Sequence, residues 1–179
     1  MRRWICCALV VVLALAAAPL ATGSAKASAQ RNQTLEQGIL REVNRVRAAH
    51  GLRSLALARG LQAAAMFQSR ALLAQGVFEH DSPAGGAFGE RLRRYYPVGG
   101  AHAWSVGENL LWSSVGIDAG AAVKLWLDSP PHRKIMLEPT WREFGIGAFA
   151  TPSAPGVFAS AGAVVVVTMD FGSRTPSSR

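Results

Sequence analysis

The chain predicts an α+β fold, with helices gathered in its first two thirds and strands in its last. Three observations carry this. Apolar residues recur at helical spacing through residues 34–75; the period changes to alternation at Phe144, Ile146, Ala148 and Ala150; and residues 161–171 form a valine-rich, nearly continuous apolar run. Strands and helices do not alternate regularly, and there is no internal repeat or glycine-rich phosphate loop, which argues against a doubly wound sheet.

Residue by residue, Thr34 with Gln37 reads as a capping box opening a first helix, whose Leu35, Ile39, Val43 and Val46 share one face. His50-Gly51 ends it, glycine taking the left-handed closing position and His50 a capping role. Leu52, Leu55 and Leu57 connect to a second helix over 58–75, where Leu61, Ala64, Ala65, Gln68 and Leu72 form a small-residue packing face and Gly76 is the stop. Met66 and Phe67 are expected in the core. Residues 81–89 read as a loop, and 90–96 as a turn or two of helix bearing Arg91, Arg93 and Arg94. His102 falls in a flexible, exposed stretch. A third helix over 117–127 should turn Ala121, Ala122, Leu125 and Trp126 inward, with Asp118 at its start; Pro130-Pro131 breaks it, and a short helix follows over 132–137. The two terminal strands, separated by a Pro/Ser loop, are expected to pair as an antiparallel hairpin, and residues 174–179 to form a polar tail.

At 179 residues, half of them hydrophobic, the chain suits one domain with a real core. Met1-Arg2-Arg3, an apolar run and Ala27-Ser28-Ala29 read as a signal peptide over 1–29, leaving a domain over 30–173 that begins at Gln30 and a protein exported to the extracellular space. The alternative is a retained anchor, since residues 4–20 sit at the short limit of a bilayer span. Cys6 and Cys7 both fall in the leader, so the exported part would rely on its core without disulfides or a thiolate metal site. Losing Arg2, Arg3 and Lys26 reduces the formal charge from +8 to an excess of 16 basic over 11 acidic residues. That excess is spread out and lacks interleaved aromatics, which disfavours nucleic acid; ordinary solvated arginines are the first reading and attraction to anionic wall polymers or membrane surfaces the second.

Three stretches place polar groups in apolar surroundings: Phe78-Glu79-His80-Asp81-Ser82-Pro83, Gly107-Glu108-Asn109-Leu110 and Ser129-Pro130-Pro131-His132-Arg133. They offer the imidazoles of His80 and His132 and the carboxylate of Glu108. Two neutral imidazoles, a carboxylate and a water would make an open zinc site, and such a water would be acidified toward hydrolysis. The intervals of 28 and 24 residues carry no local ligand geometry, so only the fold can assemble the set. Equally, Glu108 could cap amides or pair with a histidine, and both histidines could anchor loops. Ser82 and Ser129 are candidate hydroxyls outside any G-x-S-x-G motif, and Arg133 would clamp Glu108 or a backbone carbonyl. Asn109 completes the candidate cleft.

These pieces, together with Asn44-Arg45-Val46-Arg47, Trp126-Leu127-Asp128, Phe144-Gly145-Ile146-Gly147 and Thr168-Met169-Asp170-Phe171-Gly172, occur in an order that resembles the CAP superfamily, also called the SCP or pathogenesis-related-1-like domain, in its short bacterial form. The resemblance covers nearly all of the exported part. It implies a three-layer α-β-α sandwich around a small antiparallel sheet, and a shallow cleft lined by His80, Glu108 and His132. Longer members carry a second glutamate where this chain has Ser129; Asp128 beside it would point about 100° away on a helix. Family members include divalent-metal binders, sterol or lipid carriers, defence and toxin proteins and a few proteases, so the resemblance implies a binder of an extracellular lipid, cell-wall polymer or protein, with a zinc ion an option. A metal-dependent hydrolase of peptide or wall material, and a lipid carrier using Trp104, Leu110, Leu111 and Trp112, are the alternatives.

Overall fold

A computed structural model describes residues 28–82, 86–114 and 116–176; the leader expectation falls outside these apart from Ser28 and Ala29. The elements run β1 (Gln30–Arg31), α1 (Gln33–Ala49), β2 (Ala56–Leu57), α2 (Arg59–Gln75), α3 (Phe88–Tyr95), β3 (Ala101–Ser113), α4 (Ala119–Asp128), α5 (Pro130–Met136), β4 (Glu143–Thr151) and β5 (Val164–Pro176). Among them no helix is long and apolar enough to cross a membrane.

The sheet order is β1-β4-β5-β3, antiparallel throughout, with the two residues of β2 added parallel to β4. β5 is central, as its valines require: Val164, Val165, Val166 and Val167 are all buried. Helices α1, α4 and α5 cover one face, where Ile39, Trp126, Phe144 and Phe171 join one core; α2 and α3 cover the other, with Leu61, Leu92 and Tyr96. This is the expected three-layer α-β-α arrangement. α2 lies so close on β4 that a Cβ at Gly145 would fall 2.0 Å from the Leu61 carbonyl carbon and one at Gly147 2.6 Å from the Ala65 carbonyl carbon. The two glycines of the alternating stretch are therefore the seats of the helix.

The predicted faces of α1 and α2 are buried as expected. Four local expectations change. Asn32, not Thr34, caps α1: its side chain accepts from Leu35 N while its own N–H donates to Ala148 O, tying cap and sheet together. On α4, Ala122, Val123 and Trp126 face inward, whereas Ala121 and Leu125 are exposed, so the apolar stripe is one residue out of phase with the reading from sequence. Residues 101–113 form a 13-residue strand that sequence did not reveal, because its glycine, acid and amide break the apolar pattern. β5 also runs on through Arg174 to Pro176, where Arg174 packs over Tyr96 and reaches Glu143.

Candidate functional site

Glu108 lies near the middle of β3, opposite Asp170 of β5. Alternation puts the side chains of Trp104, Val106 and Glu108 on the α3 face and those of Gly107 and Asn109 on the α5 face. Gly107 has no room for a side chain: a Cβ would sit 2.9 Å from the Trp141 ring. Asn109 crosses toward α5, where its Nδ2 donates to His132 O at 3.0 Å. His80 arrives on the loop after α2, held by the Gln68 amide, which donates to the Glu79 and His80 carbonyls. The imidazoles thus come from opposite layers of the sandwich, His80 held against Glu108 on one face of β3 and His132 on the α5 face beside Asn109. They are near enough that the charge of His80 is felt at His132.

Glu108 is almost fully buried and both oxygens are engaged. His80 Nδ1–H donates to Oε1 at 2.7 Å, and Arg91 Nη2 donates to Oε2. Arg91 also donates through Nη1 to His80 O at 2.9 Å, so one guanidinium holds both the carboxylate and the loop bearing its imidazole. Sequence grouped Arg91 with Arg93 and Arg94 as a solvated cluster. Arg93 and Arg94 are exposed, but Arg91 lies beside Leu92 on the inward face of α3, packed against Phe88, and its side chain is wholly buried.

Asp170 is the second residue that sequence left out of the site. It is completely buried, 3.9 Å from Arg91, and neither of its oxygens finds an N–H donor among the described residues. Burial first, then the charge of Glu108, push its pKa well above the ordinary carboxyl range against the pull of Arg91. Glu108 is raised to about 7, again chiefly by burial and against the pull of Arg91. Two carboxyls over one guanidinium balance when they keep one proton between them. The aspartate of Thr168-Met169-Asp170-Phe171-Gly172 interrupts an apolar strand, which was the available signal.

With Nδ1–H committed to Glu108, His80 presents Nε2 outward, its side chain 56% exposed. Burial lowers its pKa, helped by Arg91; burial and His80 lower that of His132. Both shifts favour the neutral rings. Ser129 stands at the N-terminus of α5, where its Oγ shares a 2.8 Å hydrogen bond with His132 Nδ1, leaving that ring's Nε2 available too. Ser82 is buried in a backbone bridge to Gly86, Arg133 donates to Leu127 O rather than Glu108, and Asp128 is exposed and paired with Lys124. Among the described residues no three His, Cys, Asp or Glu side chains gather as a metal-holding group. Glu108, expected as a third ligand, is instead the hydrogen-bonding base of His80. What the described residues show is a carboxylate-backed His80 and a serine-partnered His132, not a three-ligand group.

The other histidines are structural or surface: His50 Nδ1 hydrogen-bonds Val46 O at the end of α1, and His102 is exposed on β3. The apolar surface expected from Trp104, Leu110, Leu111 and Trp112 is mostly spent in packing. Leu110 and Leu111 are buried and Trp104 lies under Arg93, which leaves Trp112 exposed. A separate cavity of about 690 Å³ lies at the far end of the sheet, walled by Leu35, Ile117, Ala150, Val164 and Val165.

The chain is similar to several bacterial proteins. It is 32% identical over 114 residues to the Bacillus subtilis (strain 168) "Uncharacterized membrane protein YlbC", a match covering 64% of this chain and 31% of that protein, so the chain spans about a third of that relative's length. An extracellular protein containing an SCP domain from Bacillus anthracis str. Ames superposes with a TM-score of 0.60 at 28% identity, over 78% of this chain and 40% of that one. An outer surface protein from Borrelia burgdorferi shares the fold along almost its whole length, with a TM-score of 0.60 at 19% identity over 82% of this chain and 99% of that one. Residues 40–171 match the model of the cysteine-rich secretory protein family, which takes in His80, Arg91, Glu108, His132 and Asp170 together, and the chain belongs to that family, CAP.

Proposed function

We propose that this chain is an exported CAP domain that binds an extracellular ligand in the cleft between His80 and His132, with a divalent cation, zinc first, as an optional part of the site. The observation that carries this is the half-exposed His80 imidazole standing on a fully buried Glu108–Arg91 pair. A surface histidine needs no such foundation; one whose outer nitrogen must be held in a fixed tautomer and direction does. Export is supported by the leader-like sequence of residues 1–29 and by relatives described as extracellular or outer-surface proteins. His80 and His132 would hold the cation through Nε2, with Glu108 orienting His80 and Ser129 orienting His132. A bound cation would supply a Lewis acid. Isothermal titration of zinc into the wild type and the His80→Ala/His132→Ala double variant tests the site: heat that vanishes in the double variant supports it, and an unchanged isotherm removes the cation.

A second reading, a hydrolase of peptide or wall material, draws on the same pair, since an imidazole oriented by a buried carboxylate is how a general base is built. Turnover that survives both histidine replacements and chelation would end it. A third, a lipid carrier, rests on the apolar cavity at the far end of the sheet, and the absence of saturable fatty-acid or sterol binding would exclude it.

A further inference from the structure

Arginines that lie far apart in the sequence meet at one corner of the fold. β3 begins and β5 ends there, with Trp104 directly opposite Arg174. Arg93, in the last turn of α3, lies 5.3 Å over the Trp104 ring, and Arg174 lies 4.1 Å over the Tyr96 ring. Arg94 follows Arg93 on the same turn. α2 starts against this corner too: a Cβ at Gly60 would stand 2.1 Å from Tyr95 O, and the residue before it is Arg59. Arg59, Arg93, Arg94 and Arg174 are all exposed.

The acid that shares the corner is Glu143, which accepts from the Tyr96 hydroxyl and lies 3.3 Å from Arg174. Glu90, one turn back on α3, turns toward Gly86, its Oε2 3.0 Å from where a Cβ of that glycine would sit. All 11 acidic side chains belong to described residues, and Arg59, Arg93 and Arg94 form an ion pair with none of them. Guanidiniums gathered around one carboxylate repel one another, a cost that an anionic ligand would remove.

We propose that this corner binds a linear phosphodiester polymer, the chemistry of a polyol-phosphate wall chain, through Arg59, Arg93, Arg94 and Arg174. Guanidinium forks take phosphate oxygens two at a time, and the rings beneath Arg93 and Arg174 hold those two side chains in place before anything binds. Successive phosphates on one strand can meet several arginines at once, which a single small anion cannot. The rings support the arginines and are not a platform for bases: Tyr96 is buried, and the Trp104 indole N–H is spent on Tyr96 O at 2.9 Å. A bilayer is the competing anionic surface. The described chain begins at Ser28, at the opposite end of the sheet, where Gln30 pairs with Ala150, so a domain tethered through the residues before it would turn this corner away from the bilayer. The corner shares no residue with the His80–His132 cleft, and failure of one reading leaves the other standing.

The probe is a fluorescently labelled poly(glycerol phosphate) oligomer, titrated into the wild type and followed by anisotropy. Contact with three or four phosphates should weaken binding about 20- to 50-fold between about 50 and 200 mM salt, at the single-strand slope of about −0.7 per phosphate. Arg93→Gln/Arg94→Gln should lower affinity about tenfold or more at the lower salt and flatten the slope by about 1.4. Arg41→Gln/Arg70→Gln removes the same charge from exposed sites on α1 and α2 away from the corner, and should lower affinity less than about twofold. Should the first variant fold poorly, Arg59→Gln, outside both ring contacts, should still cost about threefold or more. Equal weakening by the two double variants, binding insensitive to salt, or tighter binding to polyglutamate of the same charge or to vesicles containing phosphatidylglycerol would overturn the proposal.

Discussion

Replacing Arg91 with methionine keeps much of the side-chain volume against Phe88 and removes the one guanidinium beneath Glu108 and Asp170. Breaking a buried ion pair by deleting one partner costs about 3–5 kcal/mol, because the charge left behind cannot be solvated. The lost hydrogen bond to His80 O keeps the effect at the upper end of that range. For a domain of this size that is a fall in Tm of about 6 to 20 °C. Without Arg91 both carboxyls are driven further toward their protonated forms, so their folded pKa values rise. Groups raised on folding stabilise below their unfolded pKa and lose that contribution as pH climbs, so the deficit of Arg91→Met should be smaller at pH 5 than at pH 8. Urea melts at the two pH values, beside Arg93→Met as an exposed control expected within about 0.5 kcal/mol of wild type, measure this directly. Equal stability of the two variants, or a deficit that shrinks as pH rises, would refute the reasoning.

Glu108→Gln should remove the component of stability that wild type loses as pH rises through about 7, the pKa of the buried carboxyl; parallel stability–pH curves for the two proteins would contradict it. Gly145→Ala drives a Cβ into the α2 backbone and should cost at least about 2 kcal/mol in a chemical melt, whereas Gly89→Ala, which meets nothing within 4 Å on α3, should be neutral or slightly stabilising. His80 should titrate below 6.5 by NMR, with Nδ1–H the dominant tautomer at pH 7.5, and its stabilising contribution should fade as pH drops through that lowered value; an Nε2–H tautomer would break the link to Glu108.

The helices were legible because their apolar residues kept helical spacing, and the central strand because valine runs are buried on both faces. β3 was hidden because it alternates between two different environments. Its even positions carry Trp104, Glu108 and Trp112, its odd ones Gly107 and Asn109, and neither set is uniformly apolar. His80, Glu108 and His132 stood out as polar residues beside apolar runs. Arg91 and Asp170 did not, because each looked ordinary in its own segment: one arginine of three, one acid near the end of an apolar strand. Their role exists only across the sheet, where register sets Asp170 beside Glu108 and α3 lowers Arg91 between them. Likewise the exchange of Ser129 for an acid weakens a copied ligand set, yet the serine's use as the partner of His132 depends on the turn into α5.

That two imidazoles from opposite layers share one cleft is tested most directly by the titration of His132 with and without its neighbour. Because His80 helps hold the pKa of His132 down, His80→Ala should raise the His132 midpoint in a proton–nitrogen NMR titration. A midpoint unmoved by the replacement, in a protein otherwise folded as wild type, would mean that the two rings do not share a cleft.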